Sequence, residues 1–453
     1  MIQTINPYTK EVLNTYSFLT EKELLDKIES SHQAFKKWEA KSYIERQHYI
    51  LQLGILLENH ATEYASTIVQ EMGKPLTEAT TEVRKCALLC RYYGNLDIET
   101  LTVINYKLDD YQEAQTIYQP LGIILGIMPW NFPFWQVLRY AVPTLLMGNT
   151  TLLKHAPNTI QCGILIEELF IKAGFPIGIF QNLVLDIPQV ETVIAHPFVQ
   201  GVTLTGSERA GSSVASLAGK YLKKSVLELG GSDPFIVFED ADLDIATSKG
   251  VLSRFLNSGQ VCIAAKRFIL HHTIAETFIE QFITKIQELH IGNPMAQSTQ
   301  LSLMAREDLA IQAEKQIQKA LSQGAKLLLG GKRKENFIEP TVLHVSSDHP
   351  ILQEEIFAPI ALIITAKNDH EILSIANDTT YGLGASIWTQ NIKKAHELAL
   401  KIEAGTVAIN EIVLSDPRLP FGGIKNSGYG RELAVNALFE FVNVKTVYRR
   451  GEQ

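Results

Sequence analysis

From Leu121 onward, short apolar runs alternate with helical stretches, and this alternation restricts the possible folds more than any other feature. An earlier series of runs covers residues 121–128, 150–153, 182–185, 201–204, 225–229 and 234–237. A later series covers residues 268–271, 326–329, 360–365, 385–388 and 406–409. Near-continuous apolar strands separated by helices are typical of parallel sheets covered on both faces. The sequence therefore predicts an α/β protein with two doubly wound units that meet near Gly230-Gly231, where a functional cleft is expected.

The two ends of the chain have sequence patterns that differ from this alternation. The first hundred residues are helix-rich: Thr20 followed by Glu23 is typical of a capping box, and one helical pattern runs from about Tyr43 to Glu71. The last segment, residues 439–448, ends in a strand-like alternation. We expect it to form a small projecting sheet with residues 106–118. Because exposed strand edges are usually paired, we also expect a homo-oligomer, either a dimer or a tetramer.

Composition excludes several functional classes. The 453 residues are 46% hydrophobic and carry a net charge of −8, so the chain can form a sizeable core but has no field for binding nucleic acid. Residues 114–138 are uncharged, but prolines and glycines interrupt them, which argues against a membrane span. The four cysteines have neither disulfide nor zinc-site spacing, so we expect no metal, and Cys86 and Cys90 are interpreted as core thiols. Without a leader-like N-terminus, a cytoplasmic location is expected.

Three residues combine chemistry with a suitable local context. Cys262 follows a Gly-Gln pair that suits a turn presenting a thiol to a cleft, and Glu228 lies between two leucines at the end of an apolar run. A carboxylate in an apolar site has a raised pKa and can act as a base near neutrality. Asn131 lies in the rigid Pro-Trp-Asn-Phe-Pro loop and could donate to an oxyanion. Each has a simpler interpretation, namely a buried cysteine, an ion-paired carboxylate and an ordinary turn.

Gly206 and Ser207 form a glycine turn between a strand and a helix, where a phosphate can bind at the helix N-terminus. No GxGxxG precedes a helix anywhere in the chain.

Taken together and in order, these residues resemble the aldehyde dehydrogenase superfamily. The resemblance covers nearly the whole chain through the motifs PWNFP, LTGS, LELGG, GQVC, EEIFAP and PFGGIKNSGYGRE. The short chain and the run Lys154-His-Ala-Pro157 are similar to the compact bacterial succinate-semialdehyde dehydrogenases. The resemblance implies two Rossmann-like domains and an oligomerisation arm. It assigns residues 1–103 and 120–229 to dinucleotide binding, 230–426 to catalysis, and 104–119 and 437–453 to the arm.

The family's mechanism is then expected to map onto this chain. Cys262 would attack the aldehyde, Asn131 and the Cys262 backbone N–H would hold the oxyanion, and hydride transfer would leave a thioester. Glu228 would activate the hydrolytic water, and Glu432 occupies a position that assists with protons in relatives. The residues expected to bind NAD or NADP are Trp130, Lys154, Pro157, Gly206, Ser207, Leu229, Glu355 and Phe357. In particular, Lys154 and Glu355 would contact the two riboses, and Trp130 and Phe357 would lie near the nicotinamide.

Two departures from the family pattern bear on specificity. Pro157 stands where many NAD-preferring relatives carry a glutamate that would repel a 2′-phosphate, so we hypothesise use of both NAD and NADP. Arg139 lies where succinate-semialdehyde dehydrogenases carry a carboxylate-binding arginine. The second arginine of some relatives is Leu256 here, and Arg254 is a candidate substitute.

Oxidation of succinate semialdehyde to succinate is therefore the expected activity. The alternatives are a dehydrogenase for another aliphatic or aromatic aldehyde, a CoA-acylating dehydrogenase, and a catalytically silent structural relative. Glu228 argues against the CoA-acylating branch, which tends to lack this carboxylate.

Overall fold

A computed structural model describes residues 1–450 and has the predicted α/β architecture. The helices are α1 (Glu21–Trp38), α2 (Tyr43–Asn59), α3 (Ala61–Met72), α4 (Leu76–Gly94), α5 (Glu99–Thr102), α6 (Trp135–Leu146), α7 (Ile160–Lys172), α8 (Gln189–Ala195), α9 (Glu208–Lys220), α10 (Leu243–Phe255), α11 (Ala275–Gln287), α12 (Glu307–Ser322), α13 (Asp369–Asn377) and α14 (Ile392–Ala399). Short 3-10 segments cover Leu256–Gly259, Pro350–Gln353, Lys425–Ser427 and Asn436–Phe439.

The strands form two large sheets and three small ones. They are β1 (Ile2–Ile5), β2 (Val12–Tyr16), β3 (Val103–Asn105), β4 (Tyr111–Pro120), β5 (Ile123–Ile127), β6 (Thr150–Lys154), β7 (Phe180–Asn182), β8 (Val199–Thr205), β9 (Lys224–Glu228), β10 (Asp233–Val237), β11 (Ala265–His271), β12 (Lys326–Leu329), β13 (Arg333–Lys334), β14 (Phe337–Ile338), β15 (Thr341–His344), β16 (Ile360–Ala366), β17 (Gly384–Trp388), β18 (Thr406–Ile409), β19 (Gly428–Tyr429) and β20 (Val442–Arg450).

The first large sheet has the order β19-β9-β8-β5-β6-β7, and its five strands from β5 to β9 run parallel. Its register pairs Ile127 with Lys154 and Thr205 with Glu228. The carboxyl ends of β5, β6, β8 and β9 therefore lie at one edge. Ligands bind at this edge in open α/β sheets, and here it carries the loop with Asn131, Lys154, the Gly206 turn and Glu228.

The second large sheet has the order β12-β15-β16-β11-β10-β17-β18. Its strands are parallel except β12, which pairs antiparallel with β15. The expectation that residues 326–329 belong to a buried parallel series is therefore wrong. After the separate β13–β14 hairpin, β15 returns antiparallel to β12, and β12 is the edge strand of the sheet and largely exposed. Its partner β15 was not predicted.

The C-terminal strand β20 pairs antiparallel with β4, which also pairs with β3, and these three strands form the expected small sheet. The strand begins at Val442, after a 3-10 segment at Asn436–Phe439. The last three residues of the predicted arm, 451–453, lie outside the described residues. The division into domains and the oligomeric state stay predictions.

The N-terminal helices correct one prediction. Thr20 and Glu23 form the expected capping box at α1. The single helix predicted between Tyr43 and Glu71 is wrong, because the helical conformation breaks at His60 (φ −114°, ψ 20°). Both α2 and α3 pack against α4 and α7, and α2 also packs against α6.

Within residues 1–450, none of the helices combines the length and the apolar character needed to cross a bilayer. The same part of the chain brings no three metal-ligating side chains together at a metal site.

A buried ion pair fixes the helix that carries Arg139. Lys74 and Glu82 form this pair, and their side chains are almost completely buried. The Glu82 carboxylate also accepts hydrogen bonds from the backbone N–H groups of Phe134 and Trp135, at 2.9 and 3.0 Å. Since these groups have no partner within the helix, Glu82 both caps α6 and compensates its N-terminal dipole.

Replacement of Lys74 by methionine is expected to lower the free energy of unfolding by about 3–5 kcal/mol, because it leaves the Glu82 charge buried without its cation. Urea unfolding followed by tryptophan fluorescence measures the change. Lys27→Met is the matched control. Its partner Glu167 is partly exposed, so the expected loss is below about 1 kcal/mol. Equal losses in the two variants would contradict this account of α6.

Candidate active site

Three consecutive residues before Cys262 have left-handed backbone angles. Asn257 has φ 52° and ψ 36°, Ser258 has φ 54° and ψ 35°, and Gly259 has φ 73°. A left-handed conformation costs a non-glycine residue about 1–2 kcal/mol, so the surrounding contacts must hold this turn in place. It reverses the chain between α10 and β11 and brings Cys262 to the cleft.

Buried polar side chains satisfy the backbone of this left-handed turn. The Arg254 guanidinium donates to the carbonyls of Gly259, at 2.6 Å, and Ala265, at 3.3 Å. The Glu78 carboxylate accepts from the backbone N–H of Asn257 at 2.8 Å. Gln260 donates through Nε2 to the Asn257 carbonyl at 2.9 Å. Arg254 is fully buried, and its hydrogen bonds go to the turn and to the first residue of β11, so it braces this backbone. A contact between Arg254 and a ligand stays a prediction.

Cys262 is half-buried and lines a cleft of about 240 Å³ between the two large sheets. Burial raises the pKa of its thiol to about 11, while the positive charges of Arg139 and Lys266 oppose the shift. Lys266 also donates to the Cys262 carbonyl at 2.6 Å. The other cysteines are fully buried, including the predicted core thiols Cys86 and Cys90. Cys262 is therefore the thiol that a ligand in the cleft can reach.

Asn131 lines the same cleft, and residues in and next to the left-handed turn hold both its side chain and its backbone. Its Nδ2 donates to the Gln260 carbonyl at 2.9 Å, and Asn257 Nδ2 donates to the Asn131 backbone carbonyl at 2.9 Å. An amide nitrogen carries two hydrogens, so one N–H of Asn131 stays available. Within residues 1–450 the backbone N–H of Cys262 also has no acceptor. Two donors are therefore available for a negative oxygen beside the thiol.

Glu228 and Glu432 form a buried carboxylate pair beside Arg139. Neither carboxylate oxygen of Glu228 has a hydrogen-bond partner among residues 1–450. Burial, followed by the neighbouring charge of Glu432, raises the pKa of Glu228 well above its ordinary value. Burial also raises the pKa of Glu432, against the effect of Arg139, with which it forms an ion pair. Glu228 is therefore buried without a hydrogen-bond partner of its own in the described part of the chain and lies beside both a carboxylate and a guanidinium.

Glu228 does not itself line the cleft, although Leu229 and Gly230, which follow it, do. Its Oε1 lies against the backbone of Gly422, where a Cβ atom would approach within 2.7 Å.

Arg139 is 1% exposed, and its guanidinium lies 4.7 Å from the Phe421 ring centroid. Its role in carboxylate binding stays a prediction.

The cleft also gathers most of the residues expected at a dinucleotide. Glu355 accepts from the backbone N–H of Gly231 at 3.0 Å, and Trp130 and Phe357 form an edge-to-face pair with centroids 5.9 Å apart. Ser207 caps α9, and Gly206 and Leu229 line the same walls. A carboxylate suits ribose hydroxyls, and a helix N-terminus suits a pyrophosphate. The residues present therefore fit an NAD-type dinucleotide.

Lys154 and Pro157 line a different and much smaller cavity, of about 20 Å³. Lys154 ends β6 at the same sheet edge, and burial lowers the pKa of its ammonium group. The Pro157 ring offers neither a carboxylate nor an N–H donor, so nothing at this position repels or attracts a 2′-phosphate.

Sequence reasoning missed Gln260, Asn257 and Lys266. Gln260 and Asn257 stand next to the predicted cysteine, but only the left-handed turn shows that they brace it. Lys266 is a lysine at the start of an apolar strand, and this unusual placement is the signal that could have identified it.

Comparisons with known proteins agree with this geometry. A family model described as "Aldehyde dehydrogenase family" matches residues 1–447. The chain belongs to the aldehyde dehydrogenase family. The resemblance inferred from the motifs is therefore confirmed.

Members of this aldehyde dehydrogenase family with high similarity include a Synechocystis protein named "Probable succinate-semialdehyde dehydrogenase [NADP(+)]". It is 43% identical, and the alignment covers 99% of both chains. The crystal structure of succinic semialdehyde dehydrogenase from Streptococcus pyogenes in complex with NADP+ matches with a TM-score of 0.97 and 39% identity, covering 100% of both chains. A Deinococcus radiodurans succinate-semialdehyde dehydrogenase [NADP(+)] is 42% identical and covers 98% of this chain and 94% of its own.

The raised pKa of Cys262 predicts its chemical reactivity. The thiolate is the reactive form, so alkylation by iodoacetamide should accelerate about tenfold per pH unit between about pH 7 and about pH 10. Mass spectrometry of the alkylated peptide, sampled over time, measures the alkylation rate at Cys262. Cys262→Ala should abolish fast labelling, because the other cysteines are buried. A rate that levels off near pH 8 would show that the pKa of the Cys262 thiol is not raised.

Arg254→Met tests the assignment of this arginine to the left-handed turn. The variant leaves two buried carbonyls without donors, at about 1–3 kcal/mol each, so the melting temperature should fall. The kcat/KM values for aldehydes with and without a terminal carboxylate should fall by the same factor. A selective loss for the carboxylated aldehyde would instead place Arg254 at the substrate.

Proposed function

We propose that this aldehyde dehydrogenase oxidises succinate semialdehyde to succinate with NADP or NAD as the hydride acceptor. The observation that carries the proposal is Cys262 in a cleft with two free N–H donors beside it. The family shows the reaction type, and the relatives named for succinate semialdehyde support the substrate. Pro157, which places no carboxylate near the expected ribose site, supports the use of both cofactors.

Cys262 is the nucleophile in this proposal. Its Sγ bonds to the aldehyde carbon, the thiol proton leaves to a base, and the carbonyl oxygen becomes an oxyanion. The Cys262 backbone N–H and the free N–H of Asn131 donate to that oxygen. Because both donors are fixed before substrate arrives, they need no reorganisation when the charge develops.

The side chains that line the cleft cannot accept a hydride. A bound dinucleotide would supply the hydride acceptor through its nicotinamide ring. In the cleft, Glu355 would hold a ribose, the α9 N-terminus at Ser207 would hold the pyrophosphate, and Trp130 and Phe357 would enclose the nicotinamide end.

Glu228 removes a proton from the water that hydrolyses the Cys262 thioester, which releases the carboxylic acid and restores the thiol. A carboxylate with a raised pKa is well matched to this task near neutrality. Glu432 and Arg139 lie next to it, so a proton taken up by Glu228 belongs to a pair of interacting carboxylates. Glu432 is proposed as the second site for that proton.

The substrate proposal is tested with a panel of aldehydes that differ in a terminal carboxylate, each run with NAD and with NADP. We expect kcat/KM for succinate semialdehyde to exceed that for butanal by at least about tenfold with either cofactor. Equal values would refute the substrate assignment. A preference for NAD above about a thousand-fold, roughly 4 kcal/mol, would refute the use of both cofactors.

Glu228→Gln separates hydrolysis from oxidation. We expect a rapid burst of about one equivalent of reduced cofactor per Cys262, followed by turnover that is slowed about 100-fold or more, because the general base is lost. Stopped-flow absorbance at 340 nm measures both phases. Glu191→Gln, at an exposed site paired with Lys220, is the control and should behave like the wild-type enzyme. Slow turnover without a burst would place Glu228 before oxidation rather than after it.

A further inference from the structure

A second cleft, of about 710 Å³, lies on the other side of the loop that carries Asn131. Phe132 and Trp135 line this second cleft, whereas their neighbours Asn131 and Gln136 line the first. Phe132 and Trp135 pack in the same hydrophobic cluster as Cys262. The two clefts therefore adjoin the same loop, and a substrate in the second cleft would lie on the side of this loop away from the proposed dinucleotide.

Lys85 is a cation in the wall of this second cleft. Its Nζ lies 4.1 Å from the Trp135 ring centroid and donates to Ser415 Oγ at 2.6 Å. Burial, followed by the charge of Arg139, lowers the pKa of Lys85 to about 8, so the ammonium group still predominates at neutral pH. The lysine is held by an aromatic face and a hydroxyl, and neither of these neutralises its charge.

The acidic residues around Lys85 are already engaged. Glu82 pairs with Lys74, Asp416 pairs with Arg418, and Glu58 pairs with two arginines at the rim. Burial raises the pKa of Glu78 to about 7, so its negative charge is only partial near neutrality. Among residues 1–450, Lys85 forms no ion pair of its own. Arg139, by contrast, is paired with Glu432.

We propose that Lys85 binds the terminal carboxylate of the substrate in the second cleft. This inference rests on the proposed function and deepens it, because it names the residue that selects carboxylated aldehydes. An anion at Lys85 would gain a charge-assisted hydrogen bond and would relieve the repulsion between Lys85 and the nearby Arg139. The apolar walls at Phe132, Trp135 and Leu256 suit the short methylene chain between the carboxylate and the aldehyde.

Lys85→Met tests the proposal, because methionine keeps the packing on Trp135 but removes the charge. The ratio of kcat/KM for succinate semialdehyde to kcat/KM for butanal should fall about 10- to 100-fold, mainly through KM for the carboxylated substrate. Both substrates are measured on one preparation, so the ratio does not depend on the folded fraction. Lys85→Arg, which keeps the charge, should recover most of the ratio.

Lys394→Met is the matched control. Lys394 also lies over an aromatic ring, 3.9 Å from the Phe238 centroid, but it pairs with Asp369 and lines neither cleft. Its ratio should equal that of the wild-type enzyme. If Lys85→Met lowers kcat/KM for both substrates in parallel, or changes neither, the proposal is wrong.

Succinate binding separates failure of this inference from failure of the proposed function. If the wild-type enzyme does not prefer succinate semialdehyde to butanal, the proposed function fails. Calorimetric titration of the enzyme with succinate then tests Lys85 without turnover. The assignment is supported if succinate binds to the wild-type enzyme and to Lys85→Arg, and if its affinity for Lys85→Met is at least about tenfold weaker. Equal binding in the three proteins, or none to wild type, overturns it.

Discussion

The left-handed turn at Asn257–Gly259 is the constraint on which the site depends. Its conformation is unfavourable for two of its residues, and it persists because Arg254, Glu78 and Gln260 satisfy its backbone groups. The same turn supplies the contacts that fix Asn131. Cys262, the proposed nucleophile, and Asn131, a proposed oxyanion donor, are therefore positioned by a single buried hydrogen-bond network.

Two buried ion pairs, Lys74–Glu82 and Arg139–Glu432, organise the charges around the site. Lys74 and Glu82 fix the start of α6, and this helix carries Arg139 to the Glu228–Glu432 pair. One guanidinium beside two buried carboxylates favours a state in which the pair holds a proton, which suits a base that must release and take up protons. Arg139 thus has a carboxylate partner within the protein, whereas Lys85 forms no ion pair among residues 1–450 and is the cation that we propose for an anionic ligand.

Much of this organisation could be predicted from the sequence. Apolar runs and helical stretches identified the parallel sheets, and the motifs around Asn131, Glu228 and Cys262 identified the family. Residues 326–329 were misassigned because a short run of three leucines after a lysine does not reveal which strand it pairs with. The helix break at His60 has no glycine or proline to mark it. Lys85 was missed because its importance depends on Trp135 and Ser415, which are 50 and 330 residues away along the chain.

The central claim is that Cys262 carries the acyl group during turnover. Rapid acid quenching of the enzyme mixed with succinate semialdehyde and NADP, followed by peptide mass spectrometry, tests this claim directly. The account predicts a succinyl group on the peptide that contains Cys262, and its disappearance after treatment with hydroxylamine, which cleaves thioesters. Reduced cofactor formed at full rate with no acyl group on that peptide, or with the group on another residue, would contradict it.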